Sequence, residues 1–143
     1  MLKNMSWIVY ALLSAVFAAL VAIFGKIGVA GIDSTLATAV RSIIMAGFLV
    51  AVAIVLGKSS LLSTINNKAL LYIVLSGIAG ALSWLFYFYA LKNGPVSGVA
   101  ALDRTSIIFV LLIAILFIGE RLTIKSGVGI SFVAIGAILI AMK

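Results

Sequence analysis

The sequence has no cysteine and no histidine, and its 143 residues include only three acidic side chains, Asp33, Asp103 and Glu120. The first two absences exclude disulfide frameworks, Cys/His metal sites, thiol nucleophiles and imidazole acid–base chemistry. So few carboxylates leave little from which an active site can be assembled. We therefore predict that the chain is not an enzyme and holds neither a metal nor a cofactor.

Apolar residues dominate what is present: 66% of the chain is hydrophobic and 9% is charged. A soluble domain of this size has too small a core to hide so many apolar side chains. Long apolar stretches recur with short polar segments between them, which leaves no room for a second domain. The sequence therefore predicts an all-α polytopic membrane protein, with residues 1–143 forming a single transmembrane domain of five helices.

The polar segments between the apolar stretches set the bounds of the predicted helices. Gly25–Gly28 is expected to end the first helix, because glycine suits the left-handed backbone found at helix ends. Asp33 or Ser34 can cap the second helix, and Pro95 suits the first turn of the fourth. The predicted spans are Ser6–Phe24, Thr35–Leu56, Ala69–Leu91, Val96–Ile118 and Ile124–Met142.

The basic residues are spread over the loops, although the net charge is +7. They do not form the dense stripe that a phosphate backbone requires, so the predicted partner is the lipid bilayer and not nucleic acid. Their distribution favours one side of the membrane only weakly, and a chain with so small a bias can insert in both orientations. The basic residues near span ends are Lys3, Lys58, Lys68, Arg121 and Lys125 on the predicted cytoplasmic side, and Lys26, Lys92 and Lys143 on the other.

Charged residues also lie inside the predicted spans. A charge near the middle of a bilayer costs roughly 2.5 kcal/mol or more, so such residues normally face a bundle interior or a wet cavity. Arg41 lies about 9 Å and Asp103 about 12 Å below the same membrane face, at a helical rise of about 1.5 Å per residue. The sequence therefore predicts that Arg41 and Asp103 pair. Arg104 projects about 100° away from Asp103 and needs another partner.

The third helix runs in the opposite direction and brings Trp84 and Tyr87 to the same half of the membrane. Together with Gly77 and Gly80 they form a stripe at helical spacing. We therefore predict one pocket of aromatic and charged side chains. Its candidate substrate-binding residues are Arg41, Trp84, Tyr87, Asp103 and Arg104.

Each part of this pocket also has a structural interpretation. The Arg41–Asp103 pair can be a staple between helices, a contact for substrate or a coupling proton, or absent if Arg41 extends to the membrane surface. Trp84 and Tyr87 can serve packing alone. Asp103 is the only carboxylate well inside a span, so it is the first candidate for a proton-coupling group.

Several segments, in their order and spacing, resemble the EamA-like family of the drug/metabolite transporter superfamily. The resemblance covers nearly the whole chain, and the stretch from Tyr87 to Thr123 is the most specific part. The segments are Gly25–Gly28, Ile32–Ser34 with Ala37, Thr38 and Arg41, Tyr87–Leu91 leading into Gly94–Pro95, Leu102–Ser106, Gly119–Thr123, and Gly127 with Gly136.

Most members of that family have ten helices in two inverted five-helix repeats that enclose a central substrate cavity, and this chain resembles one repeat. The resemblance implies half a transporter in a bacterial or archaeal cytoplasmic membrane. Two antiparallel copies would rebuild the cavity and work by alternating access, with the fifth helix peripheral.

The charges in the spans indicate the substrate class. The first span lacks the carboxylate that short four-helix relatives use to export cationic drugs, whereas Arg41 and Arg104 outnumber Asp103. We therefore expect a homodimeric exporter of small polar metabolites that are anionic or zwitterionic. The alternative is a membrane protein that does not transport, such as a scaffold, an accessory subunit or a lipid-handling partner; a dry helix interface around Arg41 and Asp103 would favour it.

Overall fold

The computed structural model describes residues 2–119, 121 and 123–142, with side chains from residue 7 onward. Five of its helical segments are long and apolar enough to cross a membrane, which confirms the predicted all-α architecture with five spans. They are Trp7–Gly28, Ser34–Val55, Asn67–Asn93, Val96–Ile118 and Ile124–Ala141.

Large apolar side chains are exposed along every span. Phe17, Phe48 and Phe132 are examples, which are 63%, 68% and 72% exposed. Apolar surface on this scale needs lipid or a protein partner to cover it. The exposed surface and the length of the spans together define a multi-pass membrane protein.

The chain forms two compact units. One combines the residues up to Ile27 with those from Asn93 onward, and the other runs from Gly28 to Lys92. The prediction that residues 1–143 make one domain stays a prediction.

The first unit begins with helix α1 (Leu2–Gly28), which is longer than the sequence predicts. Gly25 does not end the helix, because an α-helix tolerates an isolated glycine at modest cost. In the last turn, the Lys26 ammonium donates a hydrogen bond of 2.9 Å to the Gly94 carbonyl. Lys26 therefore ties α1 to the loop before the fourth span.

The second unit contains α2 (Ser34–Val55) and α3 (Asn67–Asn93). The Asp33 carboxylate caps α2 by accepting a hydrogen bond of 2.9 Å from the Leu36 amide, as predicted. This hydrogen bond holds the pKa of Asp33 below its ordinary value. In the last turn of α3, the Lys92 ammonium donates a hydrogen bond of 3.0 Å to the Ile32 carbonyl, in the loop before α2.

The fourth span has the predicted bounds, Val96–Ile118, but the regular helix has a short break inside it. It consists of α4 (Val96–Asp103), α5 (Ser106–Ile113) and a π-helical turn (Ala114–Ile118). At the break, the Thr105 amide donates to the Leu102 carbonyl at 3.0 Å, and the Thr105 hydroxyl donates to the same oxygen at 2.6 Å. This local hydroxyl bond competes with the regular helical ladder, which is a physical reason for a break without glycine or proline.

The fifth span, α6 (Ile124–Ala141), packs closely against α4. Gly98 of α4 is buried, and a β-carbon added there would lie 3.6 Å from the Ala141 Cα. Small residues let helices in lipid approach closely enough for their backbones to touch. Between α5 and α6, by contrast, an open groove of about 510 Å³ remains, lined by residues that include Val110, Gly129 and Val133.

Candidate functional site

The site is built on one face of α2 in the second unit. Thr38 and Ser42 flank Arg41, and their hydroxyls donate to backbone carbonyls one turn earlier, those of Ser34 and Thr38, at 2.8 Å each. These hydroxyls are therefore occupied by their own helix. Arg41 is the polar group on this face that remains available for another partner.

The Arg41 guanidinium lies on aromatic rings of α3. Its central carbon is 3.8 Å from the centre of the Trp84 ring and 5.2 Å from that of Phe88. Trp84 and Phe88 are four residues apart, so both rings project from the same side of α3. Stacking on an aromatic face stabilises a desolvated guanidinium by about 2 kcal/mol, more than at an exposed site.

Three aromatic rings support one another in this cluster. Trp84 and Tyr87 meet edge to face with 5.5 Å between ring centres, and Phe88 lies 6.0 Å from Trp84 and 6.2 Å from Tyr87. Phe88 is buried, whereas Trp84 and Tyr87 are half-buried. Since Phe88 is fixed in the interior, it holds Trp84 in position beneath the guanidinium.

One nitrogen of Arg41 lacks an acceptor. The Nη1 atom is buried and makes no hydrogen bond to any part of the chain that the structure describes. A buried donor without an acceptor costs about 1–3 kcal/mol, and more when it is charged. The stacked guanidinium therefore presents a desolvated, positively charged donor that an anion can satisfy.

The structure brings three of the predicted site residues together: Arg41, Trp84 and Tyr87 belong to one cluster. Asp103 and Arg104 belong to the other unit, so the Arg41–Asp103 pair and the five-residue pocket stay predictions. Sequence reasoning did not include Phe88 in the site. The signal that could have found it is its spacing of four residues from Trp84.

Asp103 and Arg104 lie at the break in the fourth span. Asp103 is the last residue of α4 and is half-buried, while Arg104 is exposed in the turn that follows. Arg104 also lines an open groove of about 590 Å³ together with Ser106 and Val133. Arg104 and Thr105 keep right-handed helical backbone angles, and hydrogen bonds between residues three apart replace the regular ladder there. Glu120, the third acidic residue, lies outside the described residues.

Five spans, an interrupted helix with charges at its break and a stacked arginine inside another span are features of membrane transporters. The chain belongs to the EamA-like transporter family, which matches residues 5–142. The predicted family is thereby confirmed. Membership identifies a membrane transporter of a small molecule, a class that in general does not catalyse reactions.

Similar proteins come from bacteria and an archaeon. The chain is 42% identical to an uncharacterized transporter of Sinorhizobium sp., over 97% of this chain and 99% of that protein. It is 30% identical to an uncharacterized protein of Methanocaldococcus jannaschii, over 68% of this chain and 70% of that protein. An uncharacterized transporter of Helicobacter pylori is 35% identical over 54% of this chain and only 26% of its own length. No solved structure matches.

Proposed function

We propose that the protein is a secondary transporter that exports small anionic or zwitterionic metabolites across the cytoplasmic membrane of a bacterium or archaeon. The observation that carries the proposal is the buried Arg41 Nη1 atom, which has no hydrogen-bond acceptor in the described part of the chain. A carboxylate, phosphate or sulfonate of the substrate would supply that acceptor.

The stacking of Arg41 favours anionic groups that present two oxygens to the edge of the guanidinium. A guanidinium presents its N–H groups in one plane, which matches the two oxygens of a carboxylate or phosphate. Because the Trp84 ring covers one face at 3.8 Å, it fixes the orientation of that plane. An organic cation would meet the same positive charge in a poorly solvated site and would be repelled. The half-buried rings of Trp84 and Tyr87 offer an apolar surface to the rest of the substrate.

A second copy of the chain would complete the transport pathway. The spans leave most of their large apolar side chains exposed, so surface remains for a partner. The match to the Helicobacter pylori transporter covers only 26% of that protein. This fits a repeat unit that also occurs as part of longer relatives. In an antiparallel homodimer, each copy would contribute Arg41, Asp103 and Arg104 near opposite faces.

The break in the fourth span supports alternating access in such a dimer. Gly98 fixes α4 closely against α6, while α5 is bounded by the turn at Arg104–Thr105 and by the π-helical turn at 114–118. These two irregular turns let α5 change its angle without unfolding α4. Asp103, at the end of α4, is the candidate carboxylate for proton coupling.

Trp84 itself reports on binding at Arg41. The chain has two tryptophans, so the Trp7→Phe variant leaves Trp84 as the only one. In detergent, this variant is titrated with amino acids, dicarboxylates, organic phosphates and organic cations while Trp84 fluorescence is recorded. We expect a saturable change with an anionic or zwitterionic class, and an affinity at least about tenfold lower in Trp7→Phe/Arg41→Gln, because a charged hydrogen bond is lost.

The same titration can overturn the proposal. Saturable binding of organic cations with no response to the other classes would contradict it. So would anion binding that is unchanged by Arg41→Gln. The variant Trp7→Phe/Arg41→Lys is the matched control, since it keeps the charge but loses the planar donor group; intermediate affinity is expected.

A further inference from the structure

The segment between α2 and α3 folds into a short helix of its own. The chain turns at Gly57, whose φ of 65° lies in the left-handed region, and residues Lys58–Thr64 then form an exposed 3₁₀ helix. We call these seven residues the linker helix. The linker helix connects two spans, α2 and α3. Each of its ends therefore lies within a few residues of the membrane boundary.

The linker helix has two faces with leucine and one polar face. Side chains three apart lie on the same face of a 3₁₀ helix. Lys58 therefore shares a face with Leu61, and Ser60 shares one with Ser63. Leu61 is 50% exposed and Leu62 is 68% exposed, next to exposed apolar side chains at the end of α2.

Two of the four hydroxyls in the linker helix bond to nearby backbone carbonyls. The Ser60 hydroxyl donates to the Gly57 carbonyl at 3.1 Å, and the Thr64 hydroxyl donates to the Leu61 carbonyl at 2.6 Å. Just beyond, the Asn66 side chain accepts from the Ala69 amide at 2.8 Å and caps α3. The hydroxyls of Ser60 and Thr64 therefore lose little when the segment leaves bulk water.

Two lysines lie at this connection, one at the start of the linker helix and one just after it, and the sequence has no acidic residue near either. Lys58 begins the linker helix and Lys68 lies in the first turn of α3, and both are exposed. The sequence has no Asp or Glu from Ser34 to Leu102, so no carboxylate in this region neutralises them. Positive charge beside exposed leucines at a membrane boundary matches the anionic headgroups and acyl chains of lipid.

We propose that the linker helix docks on the membrane surface, with Leu61 and Leu62 in the headgroup–acyl boundary and with Lys58 and Lys68 bound to anionic phospholipid headgroups. This interaction is independent of the transported substrate and of the Arg41 cluster. Docking would hold the α2–α3 connection against the bilayer. The docked fraction would then rise with the anionic lipid content of the membrane.

The absence of native cysteine allows a direct test with single cysteines that carry an environment-sensitive fluorophore. Leu62→Cys reports on the apolar side and Ser63→Cys is the matched control on the polar face. Each labelled protein is reconstituted into vesicles of phosphatidylcholine alone or mixed with phosphatidylglycerol. The two leaflets of each vesicle have the same composition and iodide is included on both sides of the membrane, so the orientation of the protein does not matter.

We expect lipid-borne quenchers to reach the label at position 62 and aqueous iodide to reach the label at position 63. Phosphatidylglycerol should increase lipid quenching at position 62. In the Leu62→Cys background, Lys58→Gln and Lys68→Gln should each lower the ratio of docked to undocked protein about fivefold in the mixed vesicles. Circular dichroism and gel filtration check that each variant is folded.

Two results would overturn the proposal. If iodide quenches both labels equally, the linker helix does not dock on lipid. If docking is the same in both vesicle types, or survives loss of both lysines in the mixed vesicles, anionic headgroups do not hold it.

Discussion

The guanidinium carbon of Arg41 lies 3.8 Å from the centre of the Trp84 ring, so a charge on one span rests on an aromatic face of the next one along the chain. Stacking offsets part of the cost of holding that charge away from water. It leaves the edge of the guanidinium free, and there Nη1 has no acceptor within the described residues. This relationship supports the proposed role of Arg41 as an anion-binding residue.

Removing the ring beneath Arg41 should weaken binding without abolishing it. In a Trp84→Leu variant, the guanidinium keeps its charge but is no longer held in one plane, so binding must order it and affinity for the anionic substrate should fall about fivefold. Isothermal titration calorimetry measures this change. Phe86→Leu is the control, because Phe86 is an exposed aromatic residue on the same helix and is not part of the Arg41 cluster. Equal losses in both variants would contradict a specific role for Trp84.

Substitutions of Asp103 should separate transport from assembly. Asp103→Asn keeps the size and hydrogen-bonding capacity of the side chain, so the protein should fold but transport slowly. Asp103→Leu should also reduce the amount of correctly assembled protein, because Arg104, the next residue in the chain, would lose the neighbouring negative charge that balances it. Flux in proteoliposomes and gel filtration measure the two effects. Wild-type flux in Asp103→Asn would remove Asp103 from the mechanism.

The contact between α4 and α6 should be intolerant of a large side chain at Gly98. A β-carbon there would lie 3.3 Å from the Pro95 Cγ and 3.6 Å from the Ala141 Cα, so Gly98→Leu should destabilise the protein by about 1–3 kcal/mol through overpacking. Thermal unfolding in detergent measures the loss. Gly47→Leu is the matched control, since nothing lies within 4 Å of a β-carbon at Gly47. Stability unchanged in Gly98→Leu would mean that the two helices do not pack closely in solution.

The cap of α2 should make stability depend on pH in the acid range. The hydrogen bond from the Leu36 amide holds the pKa of Asp33 below its ordinary value of 3.8. A carboxyl whose pKa is lower in the folded state stabilises the fold above the unfolded-state pKa, and this contribution is lost as the pH falls through the folded-state pKa. Thermal unfolding scans from neutral to acid pH should show the loss. Asp33→Asn, which still caps a helix but does not titrate, should show a smaller acid dependence.

The sequence predicted the spans well because their ends carry strong local signals. Asp33 marks the start of α2, and the polar run after Val55 marks its end. The sequence also placed Arg41 and Trp84 in the same half of the membrane, because the direction and length of each helix fix their depth. It did not predict that the guanidinium stacks on the ring.

The break after Asp103 could not be predicted, because it contains neither glycine nor proline. It depends on the Thr105 hydroxyl bonding to the Leu102 carbonyl, and a threonine inside a helix adopts that geometry only in some contexts. The extension of α1 past Gly25 was missed for a related reason. Lys26 bonds to Gly94, which is distant in sequence, and local propensity does not include such contacts.

The central claim is that this chain is one half of a transporter and works with an oppositely inserted copy. Orientation in the native membrane tests it most directly. Single cysteines at Gly31 and Ser63, which flank α2, are treated in intact cells with an impermeant maleimide, before and after permeabilisation. The account predicts that part of the protein is labelled from outside at each site. Labelling of one site from outside and of the other only after permeabilisation would show a single orientation and contradict the antiparallel pair.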